Sequence, residues 1–175
     1  MQRGIGKGAI LGIVIIIIVI GLVAGLYYYY YGPSGKVYVY LSDPGNTSFV
    51  NIYFTITSIQ AHSTKGWITI SNKTETVSLS STPQLITSAN MPPGNYTEVR
   101  FVVQSVTITL ANNFNVSATL PSNVFKVPII GGLDIKPGGT EYLTISIGPH
   151  VTLTGNGSYI LRPLIIASAS NTPPS

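Results

Sequence analysis

The chain has 175 residues, nine Lys and Arg against five Asp and Glu, and no cysteine, which excludes disulfide and thiolate chemistry. Its net charge of +4 is no nucleic-acid signal: Arg3 and Lys7 supply two of the charges, and the seven cations from Gly32 onward stand singly among Asp43, Glu75, Glu98, Asp134 and Glu141. Only 8% of residues are charged while Ser, Thr and Asn are abundant, so few paired carboxylates are at risk as pH falls, and an acid-tolerant fold is expected.

Residues 1–8 read as a cytoplasmic tail and residues 9–31 as a transmembrane helix with an aromatic end. Ala9 to Leu26 is apolar throughout; as a helix these residues span about 27 Å, close to the hydrocarbon thickness of a bilayer. In water, nothing in so short a chain could cover a helix that is apolar on every side. Arg3 and Lys7 precede it and no cation follows before Lys36, which puts the N-terminus in the cytoplasm and the remainder outside. The run Tyr27 to Tyr31 suits the outer headgroup layer, where a ring sits half dry with its hydroxyl wet. The apolar stretch exceeds a signal-peptide core and no A-x-A-like site follows, so retention as an anchor is expected. Lys7-Gly8-Ala9 also resembles the processing site of archaeal type IV pilin-like precursors. Cleavage after Gly8 would make Ala9 the first residue of a filament subunit, with Ile13 where bacterial pilins carry an acid.

Gly32-Pro33-Ser34-Gly35 ends the helix as a short flexible link, residues 32–35. Strand signals fill residues 36–170, with no amphipathic helix of any length. Lys36–Leu41 alternates, and Ser42-Asp43-Pro44-Gly45-Asn46 is a turn cluster. Between Phe49 and His62, the residues Val50, Ile52, Phe54 and Ile56 share a face, then Ile59 and Ala61 take the other parity. A strand of period two does that only through an extra residue, which predicts a bulge near Thr57-Ser58. Ser63–Gly66 turns into Trp67–Ser71, and Thr76–Leu79 follows. Between Ser81 and Ala89, Thr82 and Pro83 predict the cap and first position of a helical turn. After Pro92-Pro93-Gly94-Asn95, the stretch Tyr96–Leu110 repeats the slip: Val99, Phe101 and Val103 on one parity, Val106, Ile108 and Leu110 on the other. That predicts a second bulge, or a change of sheet, near Gln104-Ser105. Ala111-Asn112-Asn113 turns into Phe114–Leu120. Val124–Ile130, Glu141–Ile147 and Tyr159–Ala167 complete the strands, with Gly131-Gly132 and Gly138-Gly139 as punctuation. Pro163 marks an edge or bulge in the last strand, and residues 171–175 read as a disordered tail. Short strands with turn signals at roughly 8–12-residue spacing predict an all-β antiparallel sandwich.

Five N-x-[ST] sequons, at Asn46, Asn72, Asn95, Asn115 and Asn156, are glycosylation candidates, several of them at predicted turns. Catalytic chemistry finds no pattern. There is no G-x-S-x-G; His62 and His150 are the only histidines, both beside turns and without a ligand-spaced partner; the acids never cluster as a calcium loop. The glycine pairs lie between strands and not before a helix, so they are turns and not phosphate cradles. No catalytic, cofactor-binding or metal residue is expected, and the domain reads as non-enzymatic. In so sparsely charged a domain, Asp43, Glu98, Arg100 and Arg162 are candidates for structural ion pairs, Glu98 and Arg100 sharing one strand face. Trp67 and the tyrosines Tyr38, Tyr40, Tyr53, Tyr96, Tyr142 and Tyr159 read as core or cross-strand packing ahead of a sugar-binding face.

Six stretches stand in a distinctive order: KVYVYLSDP, VNIYFTITSIQAHSTKGWITI, MPPGNYTEVRFVVQSVTITL, ATLPSNVFKVPI, GGTEYLTISIG and GSYILRPLIIAS. Together they resemble domain-of-unknown-function family 4382, found in secreted or membrane-anchored prokaryotic proteins, over Gly35 to about Ser168. The resemblance implies an immunoglobulin- or transthyretin-like sandwich and brings no activity and no catalytic residue. The low charge and Ile-rich anchor also look like archaeal surface proteins. The resulting expectation is a single-pass protein of the cell membrane that displays a glycosylated sandwich for binding or envelope structure, as an accessory subunit of a membrane or envelope assembly. Its partners are the lipid bilayer and other membrane or envelope proteins, with homo-oligomers left open and no cofactor. A filament subunit processed after Gly8 and an extracellular solute-binding module are the alternatives.

Overall fold

A computed structural model describes residues 7–43 and 51–175. Arg3, the turn positions 44–46 with the Asn46 sequon, and the strand positions Phe49 and Val50 lie outside the described residues.

Helix α1 (Lys7–Tyr31) is the one helix among them. Isoleucine and valine are indifferent helix formers in water, because χ1 is restricted against the preceding turn. A helix nonetheless satisfies each interior backbone N–H and C=O within the segment, which is what an apolar surrounding demands. The stretch Ile10–Tyr31 is long and apolar enough to cross a membrane, and the domain leaves it uncovered. At its end Tyr27 stacks on Tyr31 with ring centroids 5.2 Å apart, the i,i+4 spacing, and Tyr29 meets Tyr30 edge-on at 5.3 Å.

Pro33 bars continuation of the helix. The expected flexible link 32–35 is bonded to the domain: the Gly138 N–H donates to the Pro33 carbonyl at 3.2 Å, and the Lys36 N–H to the Gly139 carbonyl at 2.8 Å. Gly35 is required at this close approach, since a Cβ there would lie 2.6 Å from the Lys136 carbonyl oxygen.

Ten strands follow: β1 (Gly35–Ser42), β2 (Asn51–Ser63), β3 (Gly66–Ser71), β4 (Glu75–Ser78), β5 (Gln84–Met91), β6 (Gly94–Thr109), β7 (Asn115–Thr119), β8 (Val124–Ile135), β9 (Thr140–Leu153) and β10 (Tyr159–Ser170). The chain is therefore all-β with one N-terminal helix. The strands join in one sheet, ordered β3-β2-β6-β7-β10-β9-β1-β5, with β4 on β2 and β8 pairing both β6 and β10. The two ends, β3 and β5, meet, so the sheet wraps round one core. Phe54, Tyr96, Phe101, Leu133, Leu143 and Ile147 are among its fully buried side chains. The sheet is mixed: β1 runs parallel to β9, and β10 parallel to β7 and β8. Alternation tells which face a residue takes and says nothing about partner or direction, so these parallel contacts carry no sequence signal.

Both predicted bulges exist, and they lie in the same ladder. In β2–β6, Ile56 pairs with Val103 and Ser58 with Val102, leaving Thr57 extra; Thr55 pairs with Ser105, leaving Gln104 extra. Each strand thereby keeps its apolar residues inward on both sides of the slip. A third slip, at Thr97, lets both Tyr96 and Val99 point inward.

The helical turn expected within residues 81–89 is not formed. Residues 84–91 are β5, paired antiparallel to β1, with Ile86 and Met91 in the core. Burial of those side chains and a full ladder outweigh the local preference of Thr82-Pro83. Gly131-Gly132 do not end their strand either: β8 passes through them with φ of 78° and 73°. Pro163 faces Pro149 across β9–β10, where neither strand has a partner on its other side among the described pairings, so neither missing N–H costs a bond.

Candidate functional site

The inward residues Ile59, Ala61, Val99, Phe101 and Val127 force their neighbours Gln60, His62, Glu98, Arg100 and Lys126 onto the outer face. Register then lines them up. His62 stands between Trp67 on β3 and Glu98 on β6; Gln60 stands between Thr69 and Arg100; Arg100 faces Lys126 on β8. Arg100 reaches back over β2, so that its guanidinium carbon lies 4.2 Å from the centre of the Trp67 ring. Its Nε donates to Gln60 Oε1 at 2.9 Å, and a second guanidinium nitrogen donates to the same oxygen. Lys126 Nζ is 5.8 Å from the indole centre, and the His62 ring is 4.9 Å away, tilted by 56°. Directly opposed cations repel across a ladder, and here the indole quadrupole offsets that repulsion. The result is a preset aromatic and cationic platform on the side of the domain.

Glu98 adds a buried Oε1 with no hydrogen-bond partner among the described residues. It shares a strand with Arg100, but Arg100 is taken up by Gln60 and Trp67. Of the other ion-pair candidates, Arg162 is exposed on β10 opposite His150, and Asp43 is buried at the end of β1, its N–H donating to the Ser80 carbonyl at 2.8 Å. Among the described residues no group of three His, Asp or Glu could hold a metal ion. Gln60 and Lys126 had no signal of their own in the sequence. Only the β2–β6–β8 register sets them beside Trp67 and Arg100.

Tyr38 and Tyr142 stack across β1–β9 at 5.5 Å, Tyr40 tilts toward Tyr142 at 6.3 Å, and Lys36 Nζ lies 4.8 Å over Tyr38. Tyr53 and Tyr159 are half-buried. Tyr96 is buried, and its hydroxyl donates to the Pro92 carbonyl at 2.9 Å; burial pushes that phenol above its ordinary value.

The sequons divide by position. Asn115 begins β7 and Asn156 sits in the β9–β10 turn, both exposed at the end of the domain away from α1. Asn72 is exposed after β3. In all three the hydrogen bonds engage the amide oxygen: Thr109 donates to Asn115 at 2.8 Å, Ser58 to Asn72 at 3.2 Å, and the Ser158 N–H to Asn156 at 3.2 Å. Asn95 is different. It lies at the α1 end, against Gly132, where a Cβ would come within 2.8 Å of its Oδ1.

At that end α1 and the domain flank a cavity of about 160 Å³ that opens to the surface. Tyr29 and Tyr30 of the helix form one wall; the β2–β3 turn (Ser63, Thr64, Lys65) and the β5–β6 turn (Pro92 to Tyr96) form the others. Lys65 Nζ is 5.5 Å from the centre of the Tyr30 ring.

Fold and sites together define a class: a β-domain carried directly on one exposed apolar helix, with an aromatic and cationic outer platform. Residues 34–163 match the family described as Domain of unknown function (DUF4382), and the chain belongs to that family. No curated protein and no solved structure matches it.

Proposed function

We propose that this is a single-pass, non-enzymatic protein of the cell surface, with its N-terminus in the cytoplasm and its β-domain displayed outside for binding or envelope structure. The observation that carries the reading is the uncovered α1, ending in five tyrosines and joined to the domain by a bonded link. An apolar helix of that length is stable when lipid covers it, and tyrosines suit the boundary where lipid gives way to water. The platform around Trp67 and Arg100 is the face offered to other membrane or envelope proteins. Asn72, Asn115 and Asn156 are the acceptors for glycans, which would clothe the side and far end of the domain. The resemblances noted in the sequence support an immunoglobulin-like display unit in an archaeal-type envelope. The solute-binding alternative draws no support from the cleft lined by Ile56, Ile59, Ile86 and Val77, whose 10 Å³ is room for no more than one water; a solute would have to use the 160 Å³ cavity beside α1 instead.

Alkaline carbonate extraction of membranes carrying the full chain tests the reading. The wild-type chain stays with the lipid, and a variant with lysine at Ile13, Ile17 and Ile20 is released. Release of the wild-type chain would overturn the proposal.

A further inference from the structure

We propose that the cavity between α1 and the domain holds the phosphodiester headgroup of a membrane lipid, with Lys65 as its cation; this rests on α1 lying in the bilayer. Charge comes first. The lining carries one ammonium, from Lys65, and no carboxylate. Its remaining polar side chains are those of Ser63, Thr64, Asn95, Tyr29, Tyr30 and Tyr96; the Tyr96 hydroxyl is spent on the Pro92 carbonyl, and the other hydroxyls can donate to phosphate oxygens. Ser63 is buried, and its Oγ accepts the Lys65 N–H at 3.1 Å, which fixes the turn that carries Lys65. Lys65 is exposed at the tip of its turn, and the electron-rich face of Tyr30 steadies it beside the opening.

Depth comes second. Two of the wall residues, Tyr29 and Tyr30, belong to the tyrosine run that marks the headgroup layer, so a lipid phosphate lies at the height of the cavity without leaving the bilayer. Size agrees: 160 Å³ accommodates several waters or one polar headgroup fragment. The same placement sets Asn95 apart from the other sequons, because it lies among the residues that line the cavity at the α1 end.

The test uses the full chain, delipidated in neutral detergent, titrated with phosphatidylglycerol and read by native mass spectrometry. Diacylglycerol and inorganic phosphate are the comparison ligands; Lys65→Ala, Lys65→Arg and Lys73→Ala are the variants. Wild type, Lys65→Arg and Lys73→Ala retain the lipid, and Lys65→Ala binds it about tenfold more weakly, the worth of one charge-assisted hydrogen bond. Diacylglycerol is not retained, and inorganic phosphate binds more weakly than the lipid. Equal retention by Lys65→Ala would overturn the proposal, as would retention of diacylglycerol as tight as that of phosphatidylglycerol. Phosphate binding as tight as the lipid would make this an anion site indifferent to membranes, and would also overturn it. Carbonate extraction is read in parallel. Release of the wild-type chain defeats the membrane reading itself, whereas retention with lipid binding indifferent to Lys65 defeats only the headgroup site.

Discussion

At the scale of one residue, Glu141 is the carboxyl whose surroundings favour its protonated form. Burial raises its carboxyl above the ordinary value of 4.5; Lys136 pulls it back down and Asp134 pushes it up. The native state therefore holds the proton more tightly than the unfolded chain does. Glu141's contribution to stability is therefore fully present below the unfolded value and is lost as pH rises through the native one. Chemical denaturation between pH 4 and pH 7 should show the wild type gaining stability toward acid and Glu141→Gln responding less, with the variant the more stable of the two at pH 7. A wild type that loses stability over that range through Glu141 would contradict this. Arg100 offers a second single-residue test, because Trp67 is the chain's only tryptophan and its fluorescence reports on the platform alone. Arg100→Ala strips the guanidinium from the ring, so Trp67 emission should shift and stability fall by about 1 kcal/mol, a cation–π contact plus a neutral-partner hydrogen bond. Arg100→Lys should not restore the emission, since an ammonium can neither stack flat nor fork onto Gln60.

Among the elements, the β2–β6 ladder explains how much could be read ahead. Two parity slips in the residues, one near Thr57 and one near Gln104, announced two bulges, and the ladder contains both. Side-chain parity is a local signal, because each inward residue must be apolar wherever its partner comes from. The Thr82-Pro83 signal failed for the complementary reason: β1, 43 to 56 residues earlier across the paired positions, supplied a ladder for Gln84–Met91 that no local preference could foresee. The platform was invisible on the same grounds. Trp67 and Arg100 stood out singly, but Gln60 and Lys126 joined them only through register. The bulge makes a sharp prediction. Deleting Thr57 leaves Ile52, Phe54, Ile56, Ile59 and Ala61 all inward, so the chain should still fold cooperatively with a modest loss. Deleting Thr55 turns Ile52 and Phe54 outward, and burial of each is worth about 2–3 kcal/mol. Thermal unfolding should find the first variant folded and the second largely unfolded; equal tolerance of both would show that the core does not set this register.

On the scale of the whole molecule, the helix and the domain act on each other. Gly35 and the Pro33–Gly138 hydrogen bond hold the domain close against the tyrosine collar, which places Lys65 and the cavity beside the helix end and directs Asn115 and Asn156 away from it. The proposed function has lipid surrounding α1 and the domain lying on the outer side. The chain contains no cysteine, so one introduced thiol reports unambiguously on its own position. The decisive measurement is labelling of intact cells with a membrane-impermeant maleimide, using Asn156→Cys and Gln2→Cys as separate variants. Asn156→Cys should react in intact cells and Gln2→Cys only after permeabilisation. Reaction of Gln2→Cys in intact cells, or protection of Asn156→Cys until the membrane is opened, would contradict the account.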